Sequence, residues 1–120
     1  MTSHELFALA DDLQRQALIC DRLRAEVDPI WFGLDEVLNR PVDGHAPAVW
    51  QSATADASRL RLRHQRSHLV RLRYEIQQVA RRLADRAESL YGDAVRARTA
   101  AEYALREEAR ELELQMHYFR

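Results

Sequence analysis

The stretch Asn39-Arg40-Pro41-Val42-Asp43-Gly44-His45-Ala46-Pro47-Ala48-Val49-Trp50-Gln51-Ser52-Ala53-Thr54-Ala55-Asp56-Ala57-Ser58-Arg59 decides the fold. It holds two of the three prolines and one of the three glycines, while long segments of helical periodicity flank it. Asp43-Gly44 is a turn signal, and each proline disfavours the α conformation for the residue before it. The first helix is therefore expected over about residues 4–38, the turn over about 39–47 and the second helix over about 48–91. Two helices joined by so short a connection run antiparallel.

Outward from this joint, the apolar residues repeat every seven positions. In the first helix Leu6, Leu13, Cys20, Val27 and Leu34 form one row, and Leu9, Gln16, Leu23, Ile30 and Val37 a second. Nine of these ten positions are apolar or cysteine, which predicts a coiled-coil or bundle seam built from both rows. Ser3 is the expected N-cap. Pro29 lies on the outer face, and a kink with Asp28 and Pro29 restarting the helix is expected there. In the second helix Leu62, Leu69, Ile76, Leu83 and Leu90 recur every seven residues, joined by Leu72 and Val79 and widened by Ala80 and Ala87. Gly92-Asp93 is the next punctuation. It predicts a third helix over about residues 93–119, a straight extension of the second being the other option. The expected architecture is one all-α domain spanning residues 1–120. It is an antiparallel hairpin with a C-terminal helix or helical extension, completed to a four-helix bundle by dimerisation.

Composition agrees. Charged residues make up 31% and hydrophobic residues 47% of 120 positions, with only three glycines, a balance that suits a helical protein. All 18 basic residues are arginine. Residues 1–45 carry a formal charge of −5, residues 46–82 of +6 and residues 83–120 of −2. An acidic first helix against a basic second one favours pairing within the chain, with Asp11, Asp12, Asp21 and Glu26 as expected partners for the arginines. The N-terminus lacks the basic and continuous apolar regions of a secretory leader, so synthesis in the cytoplasm is expected, and any export would proceed without a cleaved signal peptide.

Chemical motifs are sparse. The sequence has no phosphate-binding glycine loop, nucleophile elbow or paired-histidine zinc motif, so neither an enzyme nor a cofactor is expected. His64 and His68 are four apart, and folding about residue 43 would bring Cys20 to their level. Two solvated histidines and a structural cysteine outweigh a metal site there. Arg59, Arg61, Arg63, Arg66, Arg71 and Arg73 form a basic face. Pairing with acidic residues outweighs phosphate tracking, because no nucleic-acid motif accompanies them.

Val49-Trp50-Gln51-Ser52-Ala53-Thr54-Ala55-Asp56-Ala57 resembles the joint of the Trp-x-Gly family of small helical-hairpin proteins handled by type VII (ESX) secretion. Actinobacterial members often read Val-Trp-Gln-Gly there, then Ala-Asp-Ala and an Arg- and Leu-rich helix. The resemblance covers roughly residues 5–107, with Trp50, Gln51 and Ser52 as the turn motif. Ser52 stands where the family has glycine, and Ser58 where an aromatic residue is common. The literal triplet Trp31-Phe32-Gly33 lies within the first helix. Tyr103-Ala104-Leu105-Arg106-Glu107 is similar to the family's Tyr-x-x-x-Asp/Glu export signal, and its spacing sets Tyr103 and Glu107 on one helical face. The resemblance implies a secreted substrate or targeting partner that acts by protein–protein interaction. Its partners would be itself or a related hairpin, and a secretion ATPase. An intracellular helical adaptor is the alternative, and a nucleic-acid-binding protein the weaker one.

Overall fold

The computed structural model describes residues 1–40 and 53–119. It is an all-α helical hairpin of two helices, α1 over Ser3–Asn39 and α2 over Ala53–Tyr118. The turn motif Trp50, Gln51 and Ser52, and most of the expected turn, lie outside the described residues.

The N-cap of α1 is Thr2, one residue before the expected Ser3. The Glu5 amide donates to Thr2 Oγ1 at 3.2 Å and the Leu6 amide to the Thr2 carbonyl at 3.0 Å. The Thr2 carbonyl takes the first helical bond, and its side chain satisfies the Glu5 amide, which has no helical partner. Helix α1 runs through Pro29 without a break, so the expected restart at Asp28 does not occur. An exposed proline removes one ladder bond, and the seams on both sides of it hold the helix.

Helix α2 is one unbroken segment of 66 residues. Of the two options for residues 93–119 the straight extension holds: among the described residues there is no separate third helix and no stop at Gly92-Asp93. Asp93 is not a cap; its carboxylate pairs with Arg96 one turn on within α2. Glycine inside a helix costs only about 1 kcal/mol relative to alanine. Ala87, Leu90, Ala94, Ala97 and Ala101 are all buried around it, and their packing outweighs that cost.

The chain clusters into two units, each pairing a part of α1 with a part of α2. One comprises residues 1–23 and 83–120. Here Ser3, Ala10 and Ala17 of α1 are buried, as are Ala87, Ala94 and Ala101 of α2. Both series recur every seven residues. Ser3 meets Glu108, Gln14 meets Arg98 and Asp21 meets Tyr91, so the two segments run antiparallel. Stepping seven residues up α1 and seven down α2 from the Ser3–Glu108 contact sets Ala10 level with Ala101 and Ala17 level with Ala94. Small residues facing one another let the two backbones approach closely.

The other unit comprises residues 24–82. Its seam uses the same rows with larger residues. Leu38 is buried and Trp31 half-buried on α1. Arg66 of α2 donates to the Leu38 carbonyl, and Arg73 to Asp35 at 2.6 Å.

The seven-residue period is as expected, but its phase differs. Rows Leu6–Leu34 and Leu62–Leu90 line the seam, half-buried or better. Their expected companions do not. Leu9, Leu23, Ile30 and Val37 on α1 are exposed, as are Leu72 and Val79 on α2. The second seam row is the one beginning at Ser3, Ala10 and Ala17. In the residue 1–23 and 83–120 unit, close approach through small side chains wins over wider contact through leucines.

Two predictions follow from this packing. Ala94→Leu or Ala101→Leu forces the backbones apart and destabilises the chain by about 1–3 kcal/mol in urea unfolding. Gly92→Ala stabilises it by about 0.5–1 kcal/mol, because an added Cβ meets only the flexible Arg96 guanidinium at 3.5 Å.

Candidate functional site

Two features of the surface bear on function: the apolar side of the residue 24–82 unit and the solvent-facing turns near the end of α2.

The apolar side follows from the seam. Two antiparallel helices facing through equivalent rows carry their corresponding flanking rows on the same side. In the residue 24–82 unit, Ile30 and Val37 of α1 thus share a side with Leu72 and Val79 of α2. Their exposures run from 36% at Leu72 to 55% at Ile30. Val27, Leu34, Leu69 and Ile76 border them and are only half-buried. Among the described residues, no large side chain is fully buried. An open groove of about 380 Å³ indents this unit, lined by Val37, Leu38, Leu62 and Leu69 with Gln65, Arg59, Arg63 and Arg66.

The predicted basic face does not act as one surface. Arg59, Arg66 and Arg73 are seven apart along the edge of the seam. Arg59 pairs with Asp56, Arg66 binds the Leu38 carbonyl and Arg73 binds Asp35. Arg61, Arg63 and Arg71 are exposed at other angles around α2. The acidic partners differ from those expected. Asp35 takes Arg73, Asp11 lies 3.5 Å from Arg98, and Asp12 pairs with Arg15 inside α1. Asp21 accepts the Tyr91 hydroxyl at 2.8 Å, which raises the Tyr91 pKa. The register causes these differences: it pairs Asp21 with Tyr91, whereas folding about residue 43 would have set Asp21 near the histidines.

The same register separates the candidate metal ligands. Cys20 neighbours Asp21 in the unit that contains Tyr91, while His64 and His68 belong to the other unit. Among the described residues, no group of three His, Cys, Asp or Glu is placed to hold a metal ion. No helix there is long and apolar enough to cross a membrane.

Tyr103 and Glu107 are on α2, one turn apart. Tyr103 is 64% exposed, and Glu107 lies 3.6 Å from Arg110. Both lie on one face of α2, Tyr103 exposed and Glu107 half-buried. Just beyond them, Glu108 makes a contact that sequence reasoning missed. Its Oε1 accepts the Ser3 amide at 2.9 Å and its Oε2 the Ser3 hydroxyl at 2.6 Å. A carboxylate is well placed at the positive N-terminal end of α1. Only the register could have revealed it, since 105 residues separate the partners.

No family model, curated protein or solved structure matches this chain. Its functional reading therefore rests on its own residues.

The Glu108 clasp has a pH signature. The Ser3 hydroxyl, then the Ser3 amide, holds its carboxyl below the ordinary value of 4.5. A lowered folded-state pKa contributes stability above that ordinary value, lost as pH falls through the lowered one. Glu108→Gln is expected to lower stability at neutral pH and to lessen its fall in acid. Chemical unfolding of both chains at pH 7 and at about pH 3 measures it.

Proposed function

We propose that this chain is a helical-hairpin protein of the type VII secretion kind, acting through protein–protein interaction and without enzymatic chemistry. It pairs with a second hairpin, itself or a related one, through its uncovered apolar side. Tyr103 and Glu107 then serve as the export signal read by a secretion ATPase. The observation that carries the reading is the apolar side of the residue 24–82 unit, where Ile30, Val37, Leu72 and Val79 stand exposed together.

Magnitudes favour a partner. Burying the remaining half of each of these four side chains is worth roughly 1 kcal/mol. Two like surfaces in contact double the gain to roughly 8 kcal/mol, before the half-buried leucines are added. Association costs on the order of 4–15 kcal/mol, so the contact is of the size that supports a reversible dimer. A solvated monomer leaves that gain unused.

The export signal is supported by accessibility and spacing. Tyr103 and Glu107 are neighbours on one face, and Tyr103 is not needed to hold the hairpin. Nucleic-acid binding is disfavoured because three of the six arginines are tied to groups of this chain.

Two measurements test the reading. Ile30→Asp with Val79→Asp should convert a self-associating chain to monomer in sedimentation equilibrium, with helical content kept. Tyr103→Ala with Glu107→Ala should abolish export in the native host while leaving the fold intact. Dimerisation with export unchanged by the double substitution would remove the signal assignment. A chain retained in the cytoplasm before any substitution would make it an intracellular adaptor.

A further inference from the structure

Glu26 and Arg82 are exposed, and both belong to the residue 24–82 unit. Among the described residues neither takes part in an ion pair or a hydrogen bond. Their places are related. Glu26 lies one helical turn before Ile30 and Arg82 one turn after Val79, each on the outer edge of the apolar side. The bonded pair Asp35 and Arg73 fixes the local register. Counting nine residues down α1 from Asp35 and nine up α2 from Arg73 reaches Glu26 and Arg82, so the two stand level. The apolar side is thus rimmed at one height by a free carboxylate on α1 and a free guanidinium on α2, with Ile30 and Val79 between them.

Gly33 stands on the same outer edge, one turn beyond Ile30 and one before Val37. Apart from proline, glycine is the poorest helix former. Nothing within the chain requires it there, since a Cβ built on Gly33 meets no heavy atom within 4 Å. An open position inside a helix suits alanine better, whereas a glycine suits a place where a second helix closes from outside. By the same count from Asp35 and Arg73, Glu75 on the outer edge of α2 is level with Gly33.

We propose that the apolar side is covered by a second copy of this chain, turned about a two-fold axis parallel to the helices, so that α1 of each copy lies on α2 of the other. A closed pair needs a surface complementary to itself, and this one is. The turn keeps every residue at its own height. It sets Glu26 against the partner's Arg82, and Arg82 against the partner's Glu26. Gly33 comes opposite the partner's Glu75 and leaves room for that side chain. Stacking α2 on α2 about the middle of the patch would instead bring Glu75 against the partner's Glu75. Arg40, near the end of α1, is held by Glu36 at 3.0 Å and adds no free charge. This rests on the pairing reading above and deepens it, by fixing which partner covers the apolar side and in which orientation.

The test uses the full chain. Sedimentation equilibrium compares the parent with Glu26→Arg, with Arg82→Glu and with both substitutions in one chain. Neither residue holds the hairpin together, so each variant should keep its helical content by circular dichroism. Each single variant should self-associate about tenfold more weakly at low salt, because two attractions become two repulsions, and the gap should narrow as salt rises. The double variant re-forms both pairs and should associate as the parent does. Gly33→Leu adds apolar surface to an exposed side, so an open surface would hold association or raise it. Closure by a second helix makes it fall, by about tenfold. Single variants that associate like the parent, a double variant that stays weak, or Gly33→Leu without loss would each overturn the stacking and leave pairing through Ile30 and Val79 standing. A parent that stays monomeric at all concentrations removes both.

Discussion

The structure depends on how closely its two helices can approach, and alanine sets that distance in the residue 1–23 and 83–120 unit. Ala10 and Ala17 on α1 and Ala94 and Ala101 on α2 recur at the same interval and share one register. A methyl group gives little transfer free energy by itself. What it supplies is proximity, which brings backbone and Cβ atoms into dispersion contact along the seam. The clasp of Glu108 on Ser3 sets the register. It grips an amide and a hydroxyl at once, so a slip of either helix breaks both bonds. The cross-helix contacts Gln14–Arg98 and Asp21–Tyr91 agree with that register and lie on the same flank.

The period of the helices was legible in the sequence, but their phase was not. Bulk apolarity points to the rows of Leu9 and Leu72 as seam, because a hydrophobic pattern counts leucine heavily and treats alanine as filler. Packing reverses that weighting when small residues line up on both partners. The register was illegible for a related reason. Folding about Asp43-Gly44 assumes that the helices meet residue for residue from the turn outward, and the clasp between Ser3 and Glu108 sets a different alignment. Gly92-Asp93 reads as a terminus in isolation, yet it lies between buried Leu90 and Ala94. Tertiary packing overrides a penalty of about 1 kcal/mol. The pair Tyr103 and Glu107 was legible as a spacing, and the structure adds its accessibility. The Glu108 contact had no local signal, since a serine near one terminus and a glutamate near the other match no motif.

The arginines show how position divides a composition. As a run in sequence they read as one basic surface. On the helix, the three that fall seven apart at the seam edge satisfy an aspartate, a carbonyl and a second aspartate, and lose their freedom to meet an outside anion. The remainder point in several directions. Net charge along a segment thus says more about which helix it pairs with than about what it binds.

An alanine seam also has a geometric consequence. The nearer two helices come, the more their flanking side chains are turned outward, because the volume between them is already filled by backbone and methyl groups. In the residue 24–82 unit, Ile30, Val37, Leu72 and Val79 flank a seam of larger residues and stand in solvent on one side. Among the described residues no third layer covers them, and the largest buried side chains are those of Leu38 and Leu90. The polar flank, by contrast, is closed within the chain by Asp21, Tyr91, Gln14 and Arg98 in one unit and by Asp35 and Arg73 in the other. Polar contacts thus tie the two helices within each unit, while Ile30, Val37, Leu72 and Val79 stay exposed in the residue 24–82 unit. Those exposed side chains, more than any motif, are what the proposal of association with another helical surface rests on.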